Sequence, residues 1–459
     1  MNRYSAYQAY DSNDFPEHWQ AKRLRFAVKL NPSKNELLLS DSELVSFVPM
    51  EAVGEYGGIR LDEDRELGDI GSGYTYFRNN DVIVAKITPC FENGKGAIAN
   101  GLTNGCAFGT TELHVLRADL DLLDPDFLFY LTISDWFRDL GESEMYGAGG
   151  QKRVPEDFIK NLIIGIPPKD EQQAIVGFLN YKASQIDALI AKKQSLLDKL
   201  TEQRMALVSE AVTKGLDLSV PMKDSGVDWL GKIPTHWQRV LLARLIQRFE
   251  QGWSPSCEAR EASQDEWGVL KSGCVNYGIF DERQHKTLPA SLKPIESLEV
   301  KPGNILMCRA SGSKHLIGSV ARVTSCRPNL IFSDKTYRIS VNESLIDPDF
   351  FIFAMKSKYI REQIELSISG ADGLANNIPQ ASVKSYQFVL PEIDEQRAIV
   401  KVLTEKSGRI SLQEDKTKAV IERLQEYRSA LITNAVTGKI DVRDFFPTTT
   451  NEQKEVAHG

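Results

Sequence analysis

Six cysteines stand in the 459 residues (Cys90, Cys106, Cys257, Cys274, Cys308 and Cys326), and no two are spaced as Cys-x-x-Cys. That spacing serves structural zinc, so the pattern predicts no metal and reduced thiols packed as small apolar side chains. No run approaches the 18 apolar residues that cross a bilayer, and no membrane contact is expected. The opening Met1-Asn2-Arg3-Tyr4-Ser5-Ala6-Tyr7 lacks an apolar signal core, which predicts a cytoplasmic protein. No Walker loop is present, so the chain itself is not expected to consume ATP. Gly71-Ser72-Gly73 and Gly147-Ala148-Gly149-Gly150 lie outside any strand-to-helix turn and are not read as phosphate cradles. Positive charge is in deficit: the net charge is −8, against a protein that coats nucleic acid alone but compatible with local basic surfaces. The stretch 1–167 is acidic and 232–391 slightly basic.

What is present is a stretch of roughly 44 residues, from Glu171 to Lys214, with a single glycine and no proline; it opens in Pro167-Pro168-Lys169-Asp170-Glu171-Gln172-Gln173-Ala174-Ile175 and closes in Val212-Thr213-Lys214-Gly215. Asp170 is read as an N-cap with Gln173 as its capping-box partner, and Lys214-Gly215 as a helix stop. A helix of this length is a rod of about 65 Å. Ile175, Leu179, Ile186, Leu189, Leu196, Leu200 and Leu207 form a narrow apolar seam, interrupted by Lys182, Lys193 and Gln203, that calls for one partner helix.

The partner lies in the same chain. Pro391-Glu392-Ile393-Asp394-Glu395-Gln396-Arg397-Ala398-Ile399 repeats the opening 224 residues later, and Val436-Thr437-Gly438-Lys439-Ile440-Asp441 repeats the close. The seam returns as Ile399, Leu403, Ile410, Val420, Leu424, Tyr427 and Leu431. Upstream, Phe15-Pro16-Glu17-His18-Trp19-Gln20 returns as Ile233-Pro234-Thr235-His236-Trp237-Gln238, and Asp124-Pro125-Asp126-Phe127 as Asp347-Pro348-Asp349-Phe350. The chain therefore holds two copies of one unit, a globe followed by a rod. Within each globe, 81–87 and 304–309 read as buried strands, 111–117 and 335–341 as half-buried strands, 126–140 and 349–367 as amphipathic helices, and 162–167 and 386–390 as closing strands. If each globe's termini are close together, the second rod runs back along the first, antiparallel to it. Two similar but unequal heads suit a reader of two unequal DNA half-sites. A duplicated scaffold between protein partners is the alternative.

The ordered set of motifs, occurring twice at matching spacing over nearly the whole chain, closely resembles the DNA-specificity subunit of type I restriction-modification systems. The resemblance implies a mixed α/β (α+β) fold: two pseudo-repeated target-recognition domains joined by two long antiparallel coiled-coil helices. The boundaries are then 1–167 for the first domain, 168–215 for the central spacer helix, 216–390 for the second domain with its linker, 391–446 for the C-terminal spacer helix, and 447–459 for a disordered tail. Double-stranded DNA, two methyltransferase subunits and restriction (motor-nuclease) subunits are the implied partners. The chain itself is expected to be non-catalytic and to bind no cofactor, with S-adenosylmethionine, ATP and magnesium held by those partners. Asn31-Pro32-Ser33-Lys34, the nearest approach to an adenine-methylating loop, lacks the second proline and the aromatic residue. A methyltransferase-binding scaffold or anti-restriction decoy that reads no DNA stays open beside this reading.

Candidate DNA contacts follow from residue type, since Arg and Lys match guanine edges, Asn and Gln match adenine, and hydroxyls and lysines hold phosphates. In the first globe these are Lys86, Thr88, Lys95, Thr110 and Thr111, with Gln151, Lys152 and Arg153 of the loop that begins at Gly149. In the second they are Arg309, Ser311, Ser313, Lys314, His315, Ser333 and Lys335, with Asn376 and Asn377 standing where Lys152 and Arg153 stand in the first. Tyr74, Tyr76 and Trp253 are read as core rather than as stacking groups. His18 and His236 are read as packing, and Pro155-Glu156-Asp157 as a helix start. Phe178, Ile190, Leu197, Val208, Val402, Ile421 and Ile432 add a second apolar face to the rods, suited to docking partner helices.

Overall fold

The computed structural model describes residues 15–71, 73–148, 150–227, 229–369 and 376–445. The opening heptapeptide, Ser72 and Gly149 of the glycine-rich stretches, and the tail from 447 lie outside the described residues. The chain divides into two compact units: residues 1–194 with 418–459, and residues 195–417.

In the first unit, Val82–Ala85 is a short, wholly apolar strand, buried along its length. It sits inside an antiparallel sheet ordered Val28–Leu30, Leu113–Ala118, Val82–Ala85, Gly96–Ile98. A second sheet is ordered Asp64–Glu66, Leu44–Val48, Cys106–Gly109, Thr75–Arg78, its central pair parallel. Gln20–Arg23 pairs with Ile163–Ile166, so the strand after the His-Trp motif lies beside the strand that feeds the first long helix. The second unit repeats this plan. Its main sheet is ordered Ile246–Gln251, Thr336–Val341, Ile305–Cys308, Val320–Arg322. His285–Thr287, Gly268–Leu270 and Leu330–Phe332 form the smaller sheet, again with one parallel pair. Gln238–Leu241 pairs with Gln387–Leu390. The strand Thr75–Arg78 has no counterpart in that smaller sheet among the described residues.

Two expectations change. Leu113–Ala118 and Thr336–Val341 are buried on both faces rather than half-buried, because each lies inside its sheet with further layers on either side. The stretches 126–140 and 349–367 are each two helices, not one. Pro125–Ile133 breaks before Asp135–Ser143 at Ser134, whose hydroxyl donates to Leu131 O at 2.7 Å and accepts from Phe137 N at 3.3 Å. Pro348–Met355 breaks before Lys358–Ser367 at Ser357, whose hydroxyl donates to Ala354 O. A serine that bonds its own backbone in extended geometry competes with helix continuation. The repeated Asp-Pro-Asp-Phe is the cap of the first helix in each pair. Asp124 accepts from Asp126 N and Phe127 N, Asp347 from Asp349 N and Phe350 N, and the proline takes the first helical position.

The long helices span Lys169–Lys214 and Ile393–Val436. Asp170 lies inside the first turn, not at its cap, since Gln172 N already bonds to Pro168 O at 2.9 Å. Gly215 (φ +80°) and Gly438 (φ +71°) end the helices in the left-handed conformation that glycine adopts without strain. In the first unit, Ile175 and Leu179 share a core with Ile432, Ala435 and Val436, and Arg428 pairs with Asp187. In the second, Val208, Ala211 and Val212 share a core with Ile399 and Leu403, and Arg204 pairs with Glu414. In both units the helices are therefore antiparallel.

The sequence-defined seam is only partly the packed one. Ile175, Leu179, Ile186, Leu200, Ile399, Leu403 and Ile410 are buried, and Leu207, Leu424 and Leu431 are half-buried. Leu189, Leu196, Val420 and Tyr427 are exposed, Leu189 at 47% and Tyr427 at 55%. Leu189 and Leu196 share one edge of the stripe, which faces outward, while Ile186 and Leu200 share the other, and a straight helix drifts about 20° per heptad, which shifts the contact line towards the helix end. Burial accordingly passes from Leu200 to Val208 and Val212 rather than to Leu207.

Candidate nucleic-acid interface

Each globe is tied to its long helix by the two repeated motifs, which meet. Trp19 Nε1 donates to Glu171 at 3.0 Å, and His18 Nε2 bonds the same carboxylate at 2.8 Å. In the second unit Trp237 Nε1 and His236 Nε2 reach Glu395 at 3.1 and 2.9 Å. The neighbouring glutamine completes the tie. Gln172 accepts from Asp124 N and donates to Leu122 O and Pro167 O, all within 2.9 Å. Gln396 makes the same three bonds, to Asp347 N, Leu345 O and Pro391 O. The His-Trp pairs are thus packing groups whose ring nitrogens meet a carboxylate.

On this frame three loops converge in each head. In the first, Lys86 follows the strand Val82–Ala85; its N–H bonds Glu112 O at 2.9 Å, and its carbonyl accepts from Val154 N at 2.9 Å. In the second, Arg309 N bonds Lys335 O at 2.8 Å, and Arg309 O accepts from Ile378 N at 3.0 Å. The two sets of bonds are equivalent. They superpose Lys86 on Arg309, Glu112 on Lys335, and the residue before Val154, Arg153, on the residue before Ile378, Asn377.

Thr88 joins the first cluster through its N–H and hydroxyl, which bond Lys152 O at 3.0 and 3.2 Å, and Ile87 bridges Arg153. Thr110 Oγ1 accepts from Glu112 N, and Thr111 is exposed beside it. Gln151 and Lys152 are exposed; Arg153 donates through Nε and Nη2 to both oxygens of Glu112 at 2.8 and 2.7 Å. Lys95 turns inward, its ammonium on Met50 O at 3.3 Å. Gly147 permits the closure of this loop: a Cβ there meets Gln151 O at 2.4 Å. Arg153 holds the Glu112 carboxyl below its ordinary range. Burial pushes the pKa of the His114 imidazole down beneath the cluster, where Nε2 bonds Val154 O.

In the second head, Ala310–Ser311 pairs with Asn376–Asn377 as a two-residue ladder. Ser313 and His315 are exposed on the turn beyond it with Lys314, and Ser311 Oγ accepts from Ser313 N. Arg309 bonds Asp334 O at 3.2 Å and lies 5.8 Å from the Tyr337 ring. Lys335 is exposed, Ser333 is buried against Thr336, and Asn376 is buried with Oδ1 unpartnered. The residue that sequence reasoning missed is Glu112. Its only signal was its place opposite Lys335 in the repeat.

Tyr76 is buried and Trp253 half-buried, whereas Tyr74 is 40% exposed with its edge on Phe47. Glu156–Asn161 is a helix begun at Pro155, with Lys160 paired to Glu156. The cysteines are free, and burial pushes the Cys274 and Cys308 thiols up to about 12 and about 11. Among the described residues no three His, Cys, Asp or Glu side chains are grouped to hold a metal, and no helix is long and apolar enough to cross a membrane.

Residues 69–201 match the family described as the type I restriction modification DNA specificity domain. The Escherichia coli type I restriction enzyme EcoEI specificity subunit is 29% identical over 454 residues, covering 82% of this chain and 76% of that protein. The putative MjaX specificity subunit of Methanocaldococcus jannaschii is 22% identical and covers 94% of this chain and 95% of its own. Among solved structures, a chain from work on complex assembly and conformational transition of the type I R-M system aligns with TM-score 0.68 at 16% identity, over 94% of this chain and 100% of that one. By its motifs, its relatives and its fold, this chain is similar to the DNA-specificity subunits of type I restriction-modification systems.

Proposed function

We propose that the chain is the non-catalytic DNA reader of a type I restriction-modification complex. It recognises an asymmetric, two-part DNA sequence, one part through each head, as a target-recognition domain does. It positions two methyltransferase subunits so that each modifies an adenine in one half, and it carries the restriction subunits on the same assembly. S-adenosylmethionine, ATP and magnesium belong to those partners, and the complex works in the cytoplasm.

The observation that carries this reading is the repeated three-loop convergence with unlike side chains on like backbones. Lys86, Glu112 and Arg153 stand in the first head where Arg309, Lys335 and Asn377 stand in the second. A scaffold for two copies of one partner has no need to diversify there, whereas a reader of unequal half-sites must. Mapping methylated adenines in cells with the partner methyltransferase, with and without this chain, tests it. The expected result is a split motif of two different halves at fixed spacing, present only with the chain. A single continuous motif, or unchanged methylation, overturns the reading and leaves the scaffold or decoy ahead.

A further inference from the structure

The first head contains a cation that the fold holds in one orientation. Arg153 gives its Nε and Nη2 edge to the Glu112 carboxylate in a two-bond, in-plane pair. A guanidinium has a second edge, Nη1 with the other N–H of Nη2, whose two parallel donors point away from the first. The side chain keeps 40% of its surface exposed, and its backbone is pinned on both sides by bridges to Ile87 and Tyr146. A carboxylate on a surface meant for DNA repels phosphate unless it serves a cation, and Glu112 is spent on Arg153. Two parallel donors on a rigid fork match the O6 and N7 acceptors of guanine in the major groove, whereas lysine reaches them only as a single flexible ammonium without the planar fork.

We infer that Arg153 reads a guanine in the half-site of the first head, with Glu112 as the positioning residue that aims it; this assignment rests on the DNA-reading function proposed above. The second head has no such pair at the equivalent place. Lys335 takes the place of Glu112 and Asn377 that of Arg153, so the effect is confined to one half of the target.

The experiment uses the full chain with its partner methyltransferase and reads methylated motifs genome-wide for the wild type, Arg153→Lys, Glu112→Gln and Glu112→Asp. In the wild type one position of the first half-site is a required G·C pair. Arg153→Lys lowers the preference at that position about tenfold or more and leaves the second half unchanged, which also reports that the complex is assembled. Glu112→Gln loosens the same position, and Glu112→Asp retains it. A uniform fall in methylation with an intact motif means a phosphate-holding or purely structural role and overturns the assignment. So does an unchanged motif in Arg153→Lys. A wild-type complex that yields no split motif overturns the functional reading and this assignment with it; a split motif indifferent to Arg153 overturns the assignment alone.

Discussion

Glu171 and Glu395 occupy the same place in the two copies and answer to the same tryptophan and histidine, yet their surroundings differ. The Glu171 side chain is 3% exposed and that of Glu395 32%. Removing a buried acceptor leaves the Trp19 N–H without a partner or water, at a cost of about 1–3 kcal/mol. At Glu395 water replaces the lost partner, so the cost is about 1 kcal/mol or less. Glu171→Ala is therefore expected to lower stability in urea more than Glu395→Ala, read by tryptophan fluorescence. Equal losses would mean that the ring packing, not the carboxylate, holds the heads to the helices.

At the scale of elements, the long helices pack along a line that turns around them. Ile186 and Leu200 are the buried members of the stripe, Leu189 and Leu196 fall outside the contact, and beyond Leu200 burial passes to Val208. Ile186→Ala and Leu200→Ala each remove packed methylenes and are expected to cost about 2–4 kcal/mol. Leu189→Ala and Leu196→Ala are expected within about 0.5 kcal/mol of the parent. Circular dichroism in urea on the isolated chain separates the two pairs, and a large loss at Leu189 would contradict the packing described. The paired short helices teach a related lesson at this scale. Phe127 to Ile133 reads as one apolar run, but the run is buried on nearly all sides, and its break is set by the single hydroxyl of Ser134.

At the scale of the whole molecule, charge and duplication act together. A net charge of −8 opposes the phosphate attraction that supplies most non-specific affinity. The isolated chain is expected to bind a random duplex no tighter than about 10⁻⁴ M at 150 mM salt, with a shallow salt slope. Addition of the methyltransferase partner is expected to tighten binding and steepen the slope, measured by fluorescence anisotropy from 50 to 200 mM salt. Tight, steeply salt-dependent binding by the chain alone would place the phosphate grip on its own surface.

The duplication, the two long helices, and their stops at Gly215 and Gly438 were all legible in the sequence. Each rests on local rules: periodicity, glycine at a helix end, and motif order repeated at a constant shift. That the His-Trp and Glu-Gln motifs touch was not legible, although both copies display both motifs, because 152 residues separate Trp19 from Glu171. The pairing of Arg153 with Glu112, 41 residues apart, was decided by the sheet that lays one loop against another. So was the exchange of Glu112 for Lys335, which no composition or spacing rule marks as a site. The sequence by itself determined which elements form and that they form twice. Only the tertiary structure decided which side chains share a place, because hydrogen bonds act over about 3 Å and the chain order says nothing of that distance until the strands are paired.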